Sequence, residues 1–201
     1  PLSENRRQIT ELLRLSQKYK RVLMTGHIFR FHPIVKELKR LFSKERKPYY
    51  VKGEFVSPFN SWKKGKSAGL DTLHFFDILD YLFEEKPIVL SSNVRGRVTT
   101  TRLHYPGGMD AVFELGWRAE EKERVMDFYL SDKIIRADFK RNFIEIRDGV
   151  KKFYDLKITP LGMELETFIR ALSKEKKVSY PDGYIGARIV DIANQVDRLA
   201  W

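Results

Sequence analysis

The sequence predicts an α+β fold: an open, mainly antiparallel sheet with helices packed on one face, preceded by a helix–strand pair of α/β character. Two observations carry this reading. From Ile88 to Ile158 the chain reads as strands in close succession, punctuated by turn signals such as Pro106-Gly107-Gly108 and Asp148-Gly149. Beyond them, Leu161, Leu165, Phe168, Ile169 and Leu172, then Ile185, Ile189, Ile192, Val196 and Leu199, form two apolar stripes at helical spacing. Such stripes call for a sheet face to cover.

Each element has its own signal. Residues 4–19 read as a helix, with Ser3 as N-cap and Ile9, Leu12, Leu13 and Leu15 apolar. Residues 21–25 read as a buried strand, because their apolar residues are consecutive rather than alternating. A second helix spans 33–42, where Pro33 suits the first turn. A strand at 49–56, a polar loop from Ser57 to Gly69 and a third helix from Asp71 to Glu84 follow. The strand region opens with the long stretch Ile88–Tyr105. Ala111, Phe113, Leu115 and Trp117 then alternate as a half-buried strand should. Strands near 124–130, 133–139, 142–147 and 150–158 complete an antiparallel meander. The sheet face away from the helices is expected to carry aromatic and apolar residues and to serve as a homo-oligomer interface.

Composition narrows the functional classes. The chain of 201 residues has 42% hydrophobic and 32% charged residues and no cysteine, which excludes disulfides, zinc–thiolate sites and cysteine nucleophiles. No apolar run reaches the length of a membrane span and no signal peptide is visible, so a cytoplasmic location is expected. Three glutamines and five asparagines stand against abundant Lys, Arg and Glu, a balance associated with hot environments. The net charge of +11 would attract anions, but it is spread along the chain as on a solvated surface. No nucleic-acid-binding signature accompanies it. There is no G-x-G-x-x-G loop, no Walker A loop and no H-E-x-x-H, and His27 and His32 are poorly spaced for joint metal ligation.

Three ordered motifs carry a resemblance. Pro1-Leu2-Ser3 leads through a helix into Arg21-Val22-Leu23-Met24-Thr25 and then Gly26-His27-Ile28-Phe29-Arg30-Phe31-His32-Pro33. The second motif is Gly69-Leu70-Asp71-Thr72-Leu73-His74-Phe75-Phe76-Asp77. The third is Pro160-Leu161 with Glu164-Leu165 and Phe168-Ile169, followed by Asp182-Gly183. Together they resemble the C-terminal, substrate-side part of a Gfo/Idh/MocA-family oxidoreductase. The match implies that residues 1–26 are the last helix and strand of a dinucleotide-binding Rossmann domain, and that 27–201 form a substrate-binding and dimerisation domain. It also implies hydride transfer between a sugar or nucleotide sugar and NAD or NADP, with the cofactor held mainly by a nucleotide-binding half outside this sequence.

Carried onto this chain, the resemblance makes His74 the base that takes the hydroxyl proton. Asp71 and Asp77, three residues to either side on one helix, would be its neighbours. The family's aspartate usually precedes the histidine by four residues, a position occupied here by Leu70, so Asp71 either replaces it or caps the helix. Arg30 and His32 either bind substrate or make a salt bridge and a helix cap. Asp77 is a further substrate-side candidate or pairs with a nearby Lys or Arg, and Trp62 and Tyr50 either line a sugar site or belong to core or rim. Pro1 and Gly26 would lie on the cofactor side, His27 either faces the nicotinamide or bonds the backbone of its turn, and no metal is expected. A non-catalytic binding or scaffold module on the same domain is the competing reading.

Overall fold

The computed structural model describes residues 1–44, 47–61, 67–146, 151–157, 159–173 and 178–200. An eight-stranded sheet is covered on its inner face by helices. Its strands are β1 (Tyr50–Pro58), β2 (Ile88–Arg95), β3 (Val98–His104), β4 (Asp110–Ala119), β5 (Glu123–Tyr129), β6 (Ile134–Asp138), β7 (Phe143–Ile146) and β8 (Lys151–Phe153). The helices are α1 (Arg6–Tyr19), α2 (Pro33–Phe42), α3 (Ala68–Asp71), α4 (His74–Phe83), α5 (Pro160–Leu172) and α6 (Gly183–Leu199). A short 3-10 turn, Ile28–Phe31, precedes α2.

The spatial order is β2-β3-β4-β1-β5-β6-β7-β8. The sheet is not a simple meander, because β1 inserts between β4 and β5, parallel to the first and antiparallel to the second. β1 thus becomes the central strand, and its inner face bears Val51, Gly53 and Phe55. Gly53 is required there. A Cβ at this position would lie 2.8 Å from the Phe75 ring and 2.9 Å from Phe113. Its absence lets α4 settle on the middle of the sheet, where Phe75 packs edge-on against Phe55 at 5.2 Å. Ile34, Val35 and Leu38 of α2, Ile78 and Leu79 of α4, and Ile189, Ile192 and Ala193 of α6 complete one continuous core.

Several boundaries depart from expectation. Asn5, rather than Ser3, caps α1. Residues 21–25 make only one antiparallel bridge, Met24 to Asp182, instead of a strand. Their backbone meets a segment containing Pro181, which has no N–H to extend a ladder, although Thr25 N–H does donate to Pro181 O at 2.8 Å. Ile88–Tyr105 is two strands folded at Gly96, whose φ of +65° suits a tight turn. The helix expected over 71–84 breaks at Thr72 and Leu73, where Thr72 takes φ −121°.

Two surface expectations are corrected. The apolar stripe of α5 is not laid on the sheet: Leu161, Leu165, Ile169 and Leu172 are 51%, 54%, 64% and 54% exposed. The inner face is already occupied by α2, α4 and α6, and α5 packs instead against the 28–31 turn. The outer sheet face is charged rather than aromatic and apolar. Rows of paired side chains run across it, including Arg118–Glu54 at 2.7 Å, Arg136–Asp127 at 3.1 Å and Arg102–Asp110 at 2.6 Å. Tyr50, Tyr129 and Ile134 are interspersed among them.

Replacing Gly53 by alanine is expected to destabilise the fold by about 1–3 kcal/mol, because the added methyl forces Phe75 and Phe113 off their positions. Urea unfolding of the variant checks this, and an unchanged midpoint would refute the close-approach account.

Candidate functional site

Four elements meet at one end of β1: the 26–32 turn, the start of α4, the C-terminal end of β1 and the start of β5. His74 opens α4 and is half-buried between aromatic rings, with Phe29 at 5.0 Å and Phe55 at 5.5 Å between centroids. Its Nδ1 is buried and has no hydrogen-bond partner among the described residues. Burial lowers its pKa to about 4, with help from nearby positive charge that includes Arg124 and Lys122. His74 is therefore a neutral imidazole at neutral pH.

His27 lies beside it, 1% exposed, with neither ring nitrogen hydrogen-bonded among the described residues. Its Nδ1 approaches Asp77 Oδ1 at 3.4 Å without hydrogen-bond geometry. Burial, then the Arg30 and His74 neighbours, lower its pKa to about 2. Pro1 is exposed and precedes α1. Gly26 is exposed and faces α5: a Cβ placed on it would be 3.7 Å from Glu164 Oε1. That oxygen is buried and unpartnered among the described residues, and burial raises the Glu164 pKa.

Behind the histidines lies an ionic network. Arg30, 9% exposed, donates from Nε to Asp77 Oδ1 and from Nη2 to Asp80 Oδ2, each at 2.8 Å. Arg188 of α6 closes the network on Asp80, at 2.6 and 2.8 Å. Asp77 is fully buried, and desolvation raises its pKa to about 7 against the pull of Arg30. Its second oxygen has no partner among the described residues.

The other expected residues fall as follows. His32 is 6% exposed and its Nδ1 accepts from Ile34 N–H at 3.2 Å, so it caps α2; burial lowers its pKa to about 4. Asp71 is exposed at the end of α3, in a different helix from His74, so the single helix expected to carry both does not form. Nor does Asp71 supply a cap: Ser67 caps α3, and α4 starts without a side-chain cap. Tyr50 sits on the outer sheet face with Tyr129, away from His74. Trp62 lies outside the described residues.

Sequence reasoning missed four participants. Asp80 was legible, since it lies three residues beyond Asp77 on the same helix. Glu164 stood inside a quoted motif without being singled out. Arg188 and Arg124 had no local signal, because their partners are remote in sequence. Among the described residues there is no cluster of metal-binding side chains and no helix long and apolar enough to cross a membrane.

No protein-family model and no curated protein sequence matches the chain. Solved structures do. UDP-N-acetylglucosamine 3-dehydrogenase GnnA from Acidithiobacillus ferrooxidans superposes with a TM-score of 0.86 at 24% identity, over 98% of this chain and 67% of that one. KijD10, a 3-ketoreductase from Actinomadura kijaniata solved with NADP, gives 0.80 at 16% identity, over 100% and 68%. A putative myo-inositol dehydrogenase from Sinorhizobium meliloti gives 0.78 at 20% identity, over 98% and 69%. The chain thus spans about two thirds of the length of each of these proteins. Its fold is that of the Gfo/Idh/MocA-family oxidoreductases.

Two outcomes follow from the buried charges. Arg30→Met strands the buried Asp77, leaves Asp80 to Arg188 alone, and is expected to cost about 3–5 kcal/mol, read as a lowered denaturation midpoint. Stability is also expected to fall as pH drops from about 6.5 towards 4. Unfolded histidines take up protons in that window, whereas His27, His32 and His74, with lowered folded pKa values, do not. Asp77, raised to about 7, works in the opposite direction between about 4 and 7. The net slope is about two protons' worth, roughly 2.7 kcal/mol per pH unit at most. Midpoints at pH 7.5 and 5.0 test the sign, and equal values would contradict burial of neutral histidines.

Proposed function

We propose that this chain is the substrate-binding part of an NAD(P)-dependent oxidoreductase acting on a sugar or nucleotide sugar, with His74 as the general base. One observation carries the reading. On a fold shared with sugar-modifying oxidoreductases, a half-buried, neutral histidine with an unpartnered ring nitrogen stands beside a second buried, unpartnered histidine.

Oxidation of a secondary alcohol removes a hydride from carbon and a proton from the hydroxyl. The nicotinamide accepts the hydride when bound. The proton needs a base that is unprotonated at working pH, and His74 meets that condition. Phe29 and Phe55 pack against its ring, so the base is oriented before substrate arrives. His27 and Pro1 are assigned to the nicotinamide face, together with the exposed Gly26 beside Glu164. In this reading residues 1–26 close a dinucleotide-binding domain, and residues 27–201 form the substrate domain. Arg30 and Asp77 hold the floor of the site, while His32 supports the turn as a cap.

The binding-module alternative keeps one specific support, the spacing of the motif, in which Asp71 stands three rather than four residues before the histidine. Hydride transfer decides between the two. The protein as its cell makes it is assayed with NAD or NADP and a panel of sugars and nucleotide sugars that includes UDP-N-acetylglucosamine and myo-inositol. Nicotinamide reduction is expected, and none with any sugar would favour the module. In an active protein, His74→Gln is expected to lower kcat by about 10²–10⁴ with the fold intact. Because the His74 pKa is lowered to about 4, activity is expected to persist below pH 6.5 and to fall only as pH approaches that lower value. An acid limb centred near 6.5 would remove His74 as the base.

A further inference from the structure

Arg124 is a buried cation that the assigned roles leave unexplained. At 7% exposed it is as deeply placed as Arg30. The two differ in what they meet. Arg30 is held by two carboxylates, Asp77 and Asp80. Arg124 meets only neutral acceptors among the described residues: Nη1 donates to the backbone oxygens of Val56 and Glu123, and Nη2 donates to Ser57 Oγ at 2.8 Å. Its Nε–H is buried and unpartnered among the described residues. The nearby acids are drawn elsewhere, Glu123 to Arg141 at 3.4 Å and Glu121 to Lys140 at 2.5 Å. Burying a guanidinium without a counter-charge is costly, so an arrangement of this kind calls for an anion.

The geometry indicates what kind. The guanidinium carbon lies over Phe55, 3.5 Å from the ring centroid, on the ring that also packs against His74. Its Nη1 side is pinned to backbone. Five donors less the three in use leave Nε–H and one Nη2–H, on the edge that grips a planar or tetrahedral oxyanion with two parallel bonds. Lys122 lies two residues away, exposed just before β5, where partial burial and then the neighbouring Arg124 charge lower its pKa. The pair thus runs from the surface towards His74 as two cations; Glu123, between them in the chain, acts on Arg124 only at a distance and pairs instead with Lys140 and Arg141.

We infer that Arg124 and Lys122 form an oxyanion subsite beside His74, so that the substrate is an anionic sugar, bearing either the phosphate of a nucleotide sugar or the carboxylate of a sugar acid. The inference rests on the oxidoreductase reading for the word substrate, but the binding it describes does not depend on turnover. Lys122 meets the anion first, and the Arg124 fork fixes it with the sugar ring towards His74. Specificity then comes from leaving a buried cation unpaired when a neutral sugar is offered.

The test is calorimetric titration of the protein with inorganic pyrophosphate, methyl glucuronide and neutral methyl glucoside. One of the two anions is expected to bind, and the neutral glucoside more weakly by roughly tenfold or more. Pyrophosphate binding identifies a nucleotide sugar, and glucuronide binding a sugar acid. Lys122→Met, at an exposed position that leaves the fold untouched, is expected to weaken that anion several-fold. The same charge change at exposed Lys157 serves as a control and is expected to leave it unaltered. Arg124→Lys, which keeps the charge and loses the fork, is expected to cost more than Lys122→Met. Failure of both anions to bind, or equal weakening by Lys122→Met and Lys157→Met, would overturn the subsite. Anion binding with these dependences but no hydride transfer would leave the subsite standing and sink the oxidoreductase reading instead.

Discussion

Arg30 stands where three parts of the chain converge, and the site depends on the ionic network it anchors. The arginine comes from the turn before α2, its two carboxylates from α4, and the second guanidinium from α6. None of these charges could be buried alone, since an isolated ion in this interior would cost several kcal/mol. Buried together, they lock the turn, α4 and α6 into one arrangement. Because His27 precedes Arg30 by one helical turn and His74 precedes Asp77 by three residues, the same lock sets the two imidazoles side by side.

The apolar packing works to the same end from the sheet side. Gly53 leaves a gap in the central strand, and Phe75 fills it. The next residue back on the same helix is His74, so the fit of one phenyl ring determines how far the imidazole stands above the sheet. Phe29 from the turn and Phe55 from β1 then close on the imidazole from two directions. The low dielectric that results keeps the histidines uncharged, and a base that is uncharged at neutral pH is available for proton transfer. The insertion of β1 between β4 and β5 belongs to this design, because it brings the start of β5, and with it Arg124, alongside the end of β1.

The remaining surfaces are of two kinds. The outer sheet face carries opposite charges paired directly or diagonally across neighbouring strands, each pair of modest worth when exposed. The α5 stripe is apolar and uncovered. The α5 stripe was expected to lie on the sheet, and the inner face is filled instead by α2, α4 and α6. An apolar stripe shows that a helix has a side suited to burial but not what lies against it.

The sequence by itself determined the class of fold, the strand-rich middle, the terminal helices and the two motif segments around His27 and His74. Those features rest on periodicity, turn residues and short-range spacing, all of which act within a few residues. Only the tertiary structure decided that β1 runs between β4 and β5, that Thr72 interrupts the third helix and so parts Asp71 from His74, and that Arg30 belongs to a salt-bridge network and His32 to a cap. It also decided that Arg124 lies buried without an acid while Arg30 holds two. The physical reason is the same throughout: whether a polar side chain finds a partner on burial depends on groups tens of residues away, and local pattern carries no record of them.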